Sequence, residues 1–315
     1  MGLMNELPLP LPRSQAGPNP QHLLVTIFGD YWSGNSVPIP SAGLVRMLGE
    51  LGISAASARS AVLRLRSRGV LIATKSGRNT LYRLSESVER VGYRNFSNQF
   101  SFASEKLSNW DGRWRVVCFT ISEERRQVRS ALRSTLRSHG FAAVQDGVWF
   151  SAYQFTPALL SALEEFQEPS VIALDADLAY PSALGSRVQS AQSDLSGLGE
   201  AYRSFLDTYT PMLDAARSST VSPAEAFITR TTMMDEWRGL YRRDPRMPMQ
   251  LLPEDWPLEH AGRVFTELYD RLGPIAELRA RDLLAEFDLE TDALPRVYDS
   301  RSARTRSAEP TRAKI

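Results

Sequence analysis

The side chains best suited to chemistry in this sequence are arginines and lysines set among small residues. Between Ser54 and Leu84, Arg59, Arg64, Arg66 and Arg68 punctuate a helical pattern, and Lys75 and Arg78 lie either side of a Ser-Gly pair. Guanidinium groups so placed neutralise phosphates and donate paired hydrogen bonds to base edges, above all guanine. Ala58, Ala61, Val62 and Leu65 fall at helical spacing and form the apolar stripe by which this helix would pack. Arg59 and Arg66 lie on one flank of the stripe and Arg64 on the other, with Ser60 and Ser67 on the opposite face. Ser54 is a suitable N-cap, Ser57 follows in the first turn, and Gly69 ends the helix where a left-handed residue is wanted. Leu71-Ile72 and Leu81-Tyr82 read as strands around the polar tip Lys75-Ser76-Gly77-Arg78-Asn79. A basic helix followed by a basic-tipped hairpin is the winged helix-turn-helix plan, in which the helix enters the major groove and the wing flanks it. On this reading Ser54, Ser57, Arg59, Ser60 and Arg64 meet DNA from the helix, and Lys75 and Arg78 from the wing. A plain amphipathic helix would show the same stripe, but its hairpin would have no reason to be basic.

Other chemistries find little support. Cys118 is the one cysteine, inside an apolar strand-like run, so core packing suits it better than nucleophilic work. His22, His139 and His260 are scattered without metal-ligand spacing. No nucleophile–base spacing and no glycine-rich phosphate loop stands out. Catalytic residues, metal ligands and cofactors are therefore expected to be none. No run reaches the roughly 20 apolar residues of a membrane span, and a soluble, cytoplasmic protein without membrane contact is expected.

The elements that must hold the basic residues follow from the rest of the chain. At 315 residues two or three domains are expected. From Gln21 to Arg94 ten Lys/Arg face four Asp/Glu, net +6, whereas from Val188 to Leu294 eleven face nineteen, net −8. Such a split suits a chain that holds nucleic acid at one end and something else at the other. The fold class expected is α+β. Residues 1–19 read as a disordered leader, and 20–92 as the winged unit, with helices from Pro20 and from Ser41, the latter capped by Ser41. An aromatic-rich connector spans 93–110. Residues 111–182 show the order β-α-β-β-α-β, a ferredoxin-like split βαβ, with Asp146-Gly147 as a hairpin turn. Residues 188–290 are mainly helical, with a capping box at Ser222-Pro223-Ala224-Glu225 and a break at Gly273-Pro274. From 291 to 315 the composition is that of a disordered basic tail.

Taken together, HLLVTIFGDYW (22–32), SARSAVLRLRSRGVL (57–71) and GRNTLYRLS (77–85) resemble the front of the PaaX family of phenylacetate-catabolism repressors. WDGRWRVVCFTI (110–121) and HGFAAVQDGVWFS (139–151) resemble its middle, Cas2-like module. AYRSFLDTY (201–209), the stretch 222–257 and FTELYDRLGP (265–274) resemble its C-terminal module. The resemblance implies a homodimeric repressor bound to double-stranded operator DNA at an inverted repeat, and released by an aryl-CoA thioester, usually phenylacetyl-CoA. Nucleases of the Cas2-like fold carry a metal-binding aspartate at the end of the first strand. Here that strand ends Phe119-Thr120-Ile121-Ser122, so the expected oxygen ligand for magnesium is missing.

Arg230, Trp237, Arg242 and Arg243 are the effector-binding candidates, because guanidinium is the preferred partner of CoA phosphates. Phe227, Arg230, Met234, Trp237 and Tyr241 share one face of a long helix, with Arg238 nearby. The spacing fits a core stripe equally well, and the arginines could pair with the surplus acids. An enzyme, either a nuclease on the middle module or a CoA-thioester-processing activity, is the first alternative. The second is a DNA-binding protein without an effector.

Overall fold

The computed structural model describes residues 19–33, 35, 37–89, 99–100, 110–168, 170–177, 195–244, 252–287, 289 and 293–302. The leader before Asn19, most of the connector, the breaks at Pro245 and Pro248 and the tail beyond 302 lie outside the described residues. In chain order the elements are α1 (Pro20–Trp32), β1 (Ile39–Pro40), α2 (Ser41–Glu50), α3 (Ala55–Ser67), β2 (Leu71–Ser76) and β3 (Asn79–Leu84). Then come β4 (Trp114–Cys118), α4 (Arg126–Ser138), β5 (Ala142–Gln145), β6 (Val148–Ser151), α5 (Pro157–Glu165) and β7 (Ile172–Ala176). Last are α6 (Leu195–Arg217), α7 (Pro223–Arg243) and α8 (Leu258–Leu284). The described residues of Met1–Ser104, Ser204–Arg242 and Leu258–Ile315 form one unit, and those of Glu105–Arg203 and Arg243–Pro257 a second.

The first unit joins what the sequence suggests are two domains. The expected boundaries 20–92 and 188–290 do not separate, because α1 is buried around its whole circumference. Asn19 caps it, accepting from the Gln21 N–H at 3.0 Å, with Pro20 at its first position. Eleven of its 13 residues are buried, including His22, Thr26 and Asp30. α1 packs on α2 and α3, while its polar side chains meet α7 and α8. Trp237 of α7 stacks on Phe265 of α8, ring centroids 4.6 Å apart, and Phe100 packs on the same Phe265. A Cβ built on Gly43 of α2 would lie 2.5 Å from the end of the Leu284 side chain, so a larger residue there would force that side chain of α8 to shift. Arg279 of α8 adds a two-pronged ion pair to Glu50 of α2, at 2.8 and 3.0 Å.

β2 and β3 form an antiparallel hairpin, and β1 adds to β3 with Ile39 opposite Tyr82. Ser76 pairs with Asn79, so the tip is tighter than the five residues expected: Gly77-Arg78 alone turn the chain, with Gly77 at φ +56°. With three helices before it, this is the winged helix-turn-helix order.

Three local expectations need correction. Ser41 does not cap α2: Pro40 holds the cap position without a side-chain bond, and Ser41 opens the helix. α8 runs unbroken through Gly273-Pro274. Leu268, Leu272, Ala276, Ala280 and Leu283 are all buried in phase across the proline, and that packing outweighs a local penalty of about 3 kcal/mol. The tail expected to be free from 291 is docked from Ala293 to Ser302. The Trp32 indole donates to the Ala293 carbonyl (2.9 Å), the Arg296 N–H to that of Tyr31 (3.0 Å), and the Val297 N–H to Glu277 (2.9 Å). Ser300 donates twice to Asp270. Specific tethers hold this segment, and composition does not reveal them.

The second unit is the ferredoxin-like fold expected, an antiparallel sheet in the order β5-β6-β4-β7. Thr156 caps α5, accepting from the Leu159 N–H at 3.2 Å. Val117, Leu132, Leu136, Trp149 and Leu159 fill one face of the sheet. Trp114, Val116 and Phe150 lie on the other, with Cys118 half-buried among them. Gly147 makes the Asp146-Gly147 turn at φ +78°, where a Cβ would be 2.3 Å from the Phe119 carbonyl oxygen.

Candidate nucleic-acid interface

The face of α3 turned from the core carries the residues singled out for chemistry. Ala58, Ala61, Val62 and Leu65 are buried. Ser54, Ser57, Arg59 and Arg64 are exposed and Ser60 half-exposed, on the sides and back of the helix. The Ser54 hydroxyl accepts from the Ser57 N–H at 3.3 Å, so it caps the helix and also stands at its positive end. Lys75 and Arg78 are exposed at the wing. Among the described residues none of Arg59, Arg64, Lys75 or Arg78 forms an ion pair. Exposed arginines elsewhere, such as Arg217 with Glu267 and Arg263 with Glu259, do have carboxylate partners. Arginines left without internal partners on one helix and one hairpin tip are ready to neutralise an external polyanion.

One residue of this face is absent from the sequence reading. Leu63 is 56 % exposed and lies on the same outward face, about 40° from Ser67 and about 60° from Ser60 in helical angle. It breaks the apolar period, which is the signal that could have found it. An exposed leucine in the centre of a groove-facing helix supplies an apolar surface for a thymine methyl. Ser67 is also exposed, its hydroxyl donating to the Arg64 carbonyl of its own helix at 2.9 Å.

The effector candidates do not come together. Arg230 and Trp237 are both fully buried. Arg230 donates to the carbonyls of Tyr269 (3.3 Å) and Tyr298 (3.0 Å), lies 3.7 Å over the Tyr269 ring, and faces Asp30 at 3.9 Å. The Trp237 indole donates to the Gln99 carbonyl at 3.1 Å. A guanidinium so enclosed cannot meet the phosphates of an external ligand, so these two are core residues. Arg242 and Arg243 are exposed at the end of α7.

Asp30, which sequence patterning passes over as one acid in an apolar helix, is the hub of this core. It is 1 % exposed and accepts from the Tyr269 hydroxyl at 2.8 Å. Burial pushes its carboxyl up to about 6, against the opposing pull of Arg230 and of the Tyr269 hydrogen bond. Four residues earlier, Thr26 accepts from Arg238 at 2.9 Å and donates to Asp235 at 3.4 Å. The helix before the helix-turn-helix is thus tied by polar contacts to the C-terminal helices.

Comparison with known proteins gives a consistent set of matches. Residues 19–88 match the family model described as PaaX-like protein, 107–186 the PaaX protein central Cas2-like domain, and 193–281 the PaaX-like protein C-terminal domain. A curated relative, "Transcriptional repressor PaaX" of Escherichia coli (strain K12), is 25% identical over 261 residues, covering 81% of this chain and 80% of the relative. Among solved structures, "Uncharacterized protein Rv0674 from Mycobacterium tuberculosis" is 22% identical with a TM-score of 0.48, covering 82% of this chain and 95% of that one.

Proposed function

This chain belongs to the PaaX family, and from that premise we propose that it is a DNA-binding transcriptional repressor. α3 lies in the major groove, with Arg59 and Arg64 reaching base edges or phosphates, Ser54, Ser57 and Ser60 contacting the backbone, and Lys75 and Arg78 flanking the groove. The observation that carries this reading is the exposed arginine face of α3 beside a basic wing tip, without internal counter-charges among the described residues. The E. coli relative is named a transcriptional repressor, which supports the same role.

In finer detail, the protein acts in the cytoplasm as a homodimer on an inverted repeat, since a two-fold protein matches a two-fold site with half-sites one helical turn or a multiple apart. It governs catabolism of an aromatic acid of the phenylacetate type, and an aryl-CoA thioester such as phenylacetyl-CoA releases it. The test is selection of duplexes from a random pool by the full-length protein. Enrichment of an inverted repeat, bound by a dimer in light scattering and released by phenylacetyl-CoA, is expected. Failure to enrich any sequence would overturn the repressor reading.

A further inference from the structure

A cleft lies between α1, the base of the wing and α7. It encloses about 510 Å³ counting its solvent-facing mouth, with about 40 Å³ of room for water-sized occupants. Its walls are apolar: Val25, Phe28 and Trp32 of α1, Leu84 and Val88 at the foot of the wing, and Met234 of α7. Six polar residues, Thr26, Asp30, Ser33, Glu89, Gln99 and Arg238, share this lining. Gln99 is 4 % exposed, and among the described residues nothing donates a hydrogen bond to its Oε1. Asp30 Oδ2 has no hydrogen-bond donor among the described residues either. Arg238 donates to Thr26 at 2.9 Å and is in no ion pair among the described residues. Burial lowers its pKa, and the like charge of Arg242 adds to this against the pull of Asp235.

An acceptor without a donor and a guanidinium that Asp235 and Asp30 attract only from beyond ion-pair distance, beside an apolar slot, call for a particular ligand. It has a compact apolar body, an oxygen acceptor for the guanidinium and an N–H or O–H for the amide oxygen. Resting on the effector reading above, we propose that this cleft takes the acyl end of the effector. Its aryl or branched acyl group lies along α1, its carbonyl oxygen on Arg238 and a neighbouring donor on Gln99. The room available is smaller than an aryl group needs, so binding must part α1 from the foot of the wing. Leu84 pairs with Leu71 at the root of the hairpin, and the Ser85 N–H donates to the Val70 carbonyl at 2.9 Å. Displacement there reaches the wing and the end of α3 directly. A ligand that favours the parted arrangement weakens DNA binding by its differential affinity for the two states.

Gly29 makes the test specific. It lines the cleft, and a Cβ built on it meets nothing within 4 Å. Gly29→Leu therefore fills the cleft while replacing a helix-interior glycine with a better helix former. The full chain is titrated calorimetrically with phenylacetyl-CoA, phenylacetate and CoA, and DNA binding is followed on the duplex selected by wild type. Wild type should bind the thioester, or the free acid if the CoA moiety adds nothing. Gly29→Leu should lose tenfold or more in that affinity while binding DNA as before, and Arg238→Met should lose ligand affinity with the slot left open. Unchanged ligand affinity and release in both variants would overturn the cleft and leave the repressor reading standing. So would a wild type that binds none of the three compounds yet still selects DNA. A wild type that selects no DNA would instead overturn the repressor reading.

Discussion

Arg230→Ala should destabilise the first unit, and by more at pH 8 than at pH 5. The substitution removes hydrogen bonds to the Tyr269 and Tyr298 carbonyls and the guanidinium's seat over the Tyr269 ring. It also takes away the charge 3.9 Å from Asp30. Breaking a buried pair by removing one partner costs about 3–5 kcal/mol. The pH dependence comes from Asp30, whose carboxyl is raised from its usual 3.8 to about 6 by burial. A folded-state pKa above the unfolded one favours the protonated carboxyl in the fold. This group's stabilising contribution is therefore present at low pH and lost as pH rises through about 6, a span worth on the order of 3 kcal/mol. Without Arg230 the pKa climbs further, because its opposing charge is gone. At pH 5 the variant's Asp30 is then neutral and little is lost on its account, whereas at pH 8 an unpaired carboxylate stays buried. Urea unfolding of both proteins at the two pH values measures the difference. A loss below about 1 kcal/mol, or an equal loss at both pH values, would refute the coupling of Asp30 to Arg230.

Further outcomes follow from single contacts. Lys75→Ala and Arg78→Ala should weaken binding to all DNA sequences alike, each lowering the slope of log affinity against log salt by about 1, as read by anisotropy at several salt concentrations. Gly147→Ala must place a Cβ 2.3 Å from the Phe119 carbonyl at φ +78°, so it should cost about 2 kcal/mol or more, seen by calorimetry as a lower transition of the second unit. A chain ending at residue 292 loses the bonds from Trp32, Glu277 and Asp270 to the docked segment. Its first unit should therefore melt at a lower temperature.

The winged unit and the ferredoxin-like unit were legible in the sequence because short-range signals define both. The α3 stripe, Gly69, the Gly77 turn and the Asp146-Gly147 turn each act within a few residues. The merger of the winged unit with the C-terminal helices was not legible, because it depends on Asp30 finding Tyr269 and on Glu50 finding Arg279, more than 200 residues away. Local grammar also misread Gly273-Pro274 as a stop, since its helical phase is enforced by packing on both sides. The same limit applies to Arg230: its spacing on α7 suits a core or a pocket equally, and only the enclosure of its guanidinium decides between them. Leu63 was missed for the opposite reason, being an apolar residue on a face read as polar.

The central claim is that the exposed face of α3 reads DNA, and the double variant Arg59→Ala/Arg64→Ala tests it most directly. Its affinity for the selected duplex is compared with wild type at fixed salt, with circular dichroism to show that the fold is kept. If either arginine reads a base, a loss of about 1–3 kcal/mol is expected, roughly 5- to 150-fold in affinity, together with weaker discrimination against scrambled DNA. A folded double variant that binds the selected duplex as tightly and as selectively as wild type would contradict it.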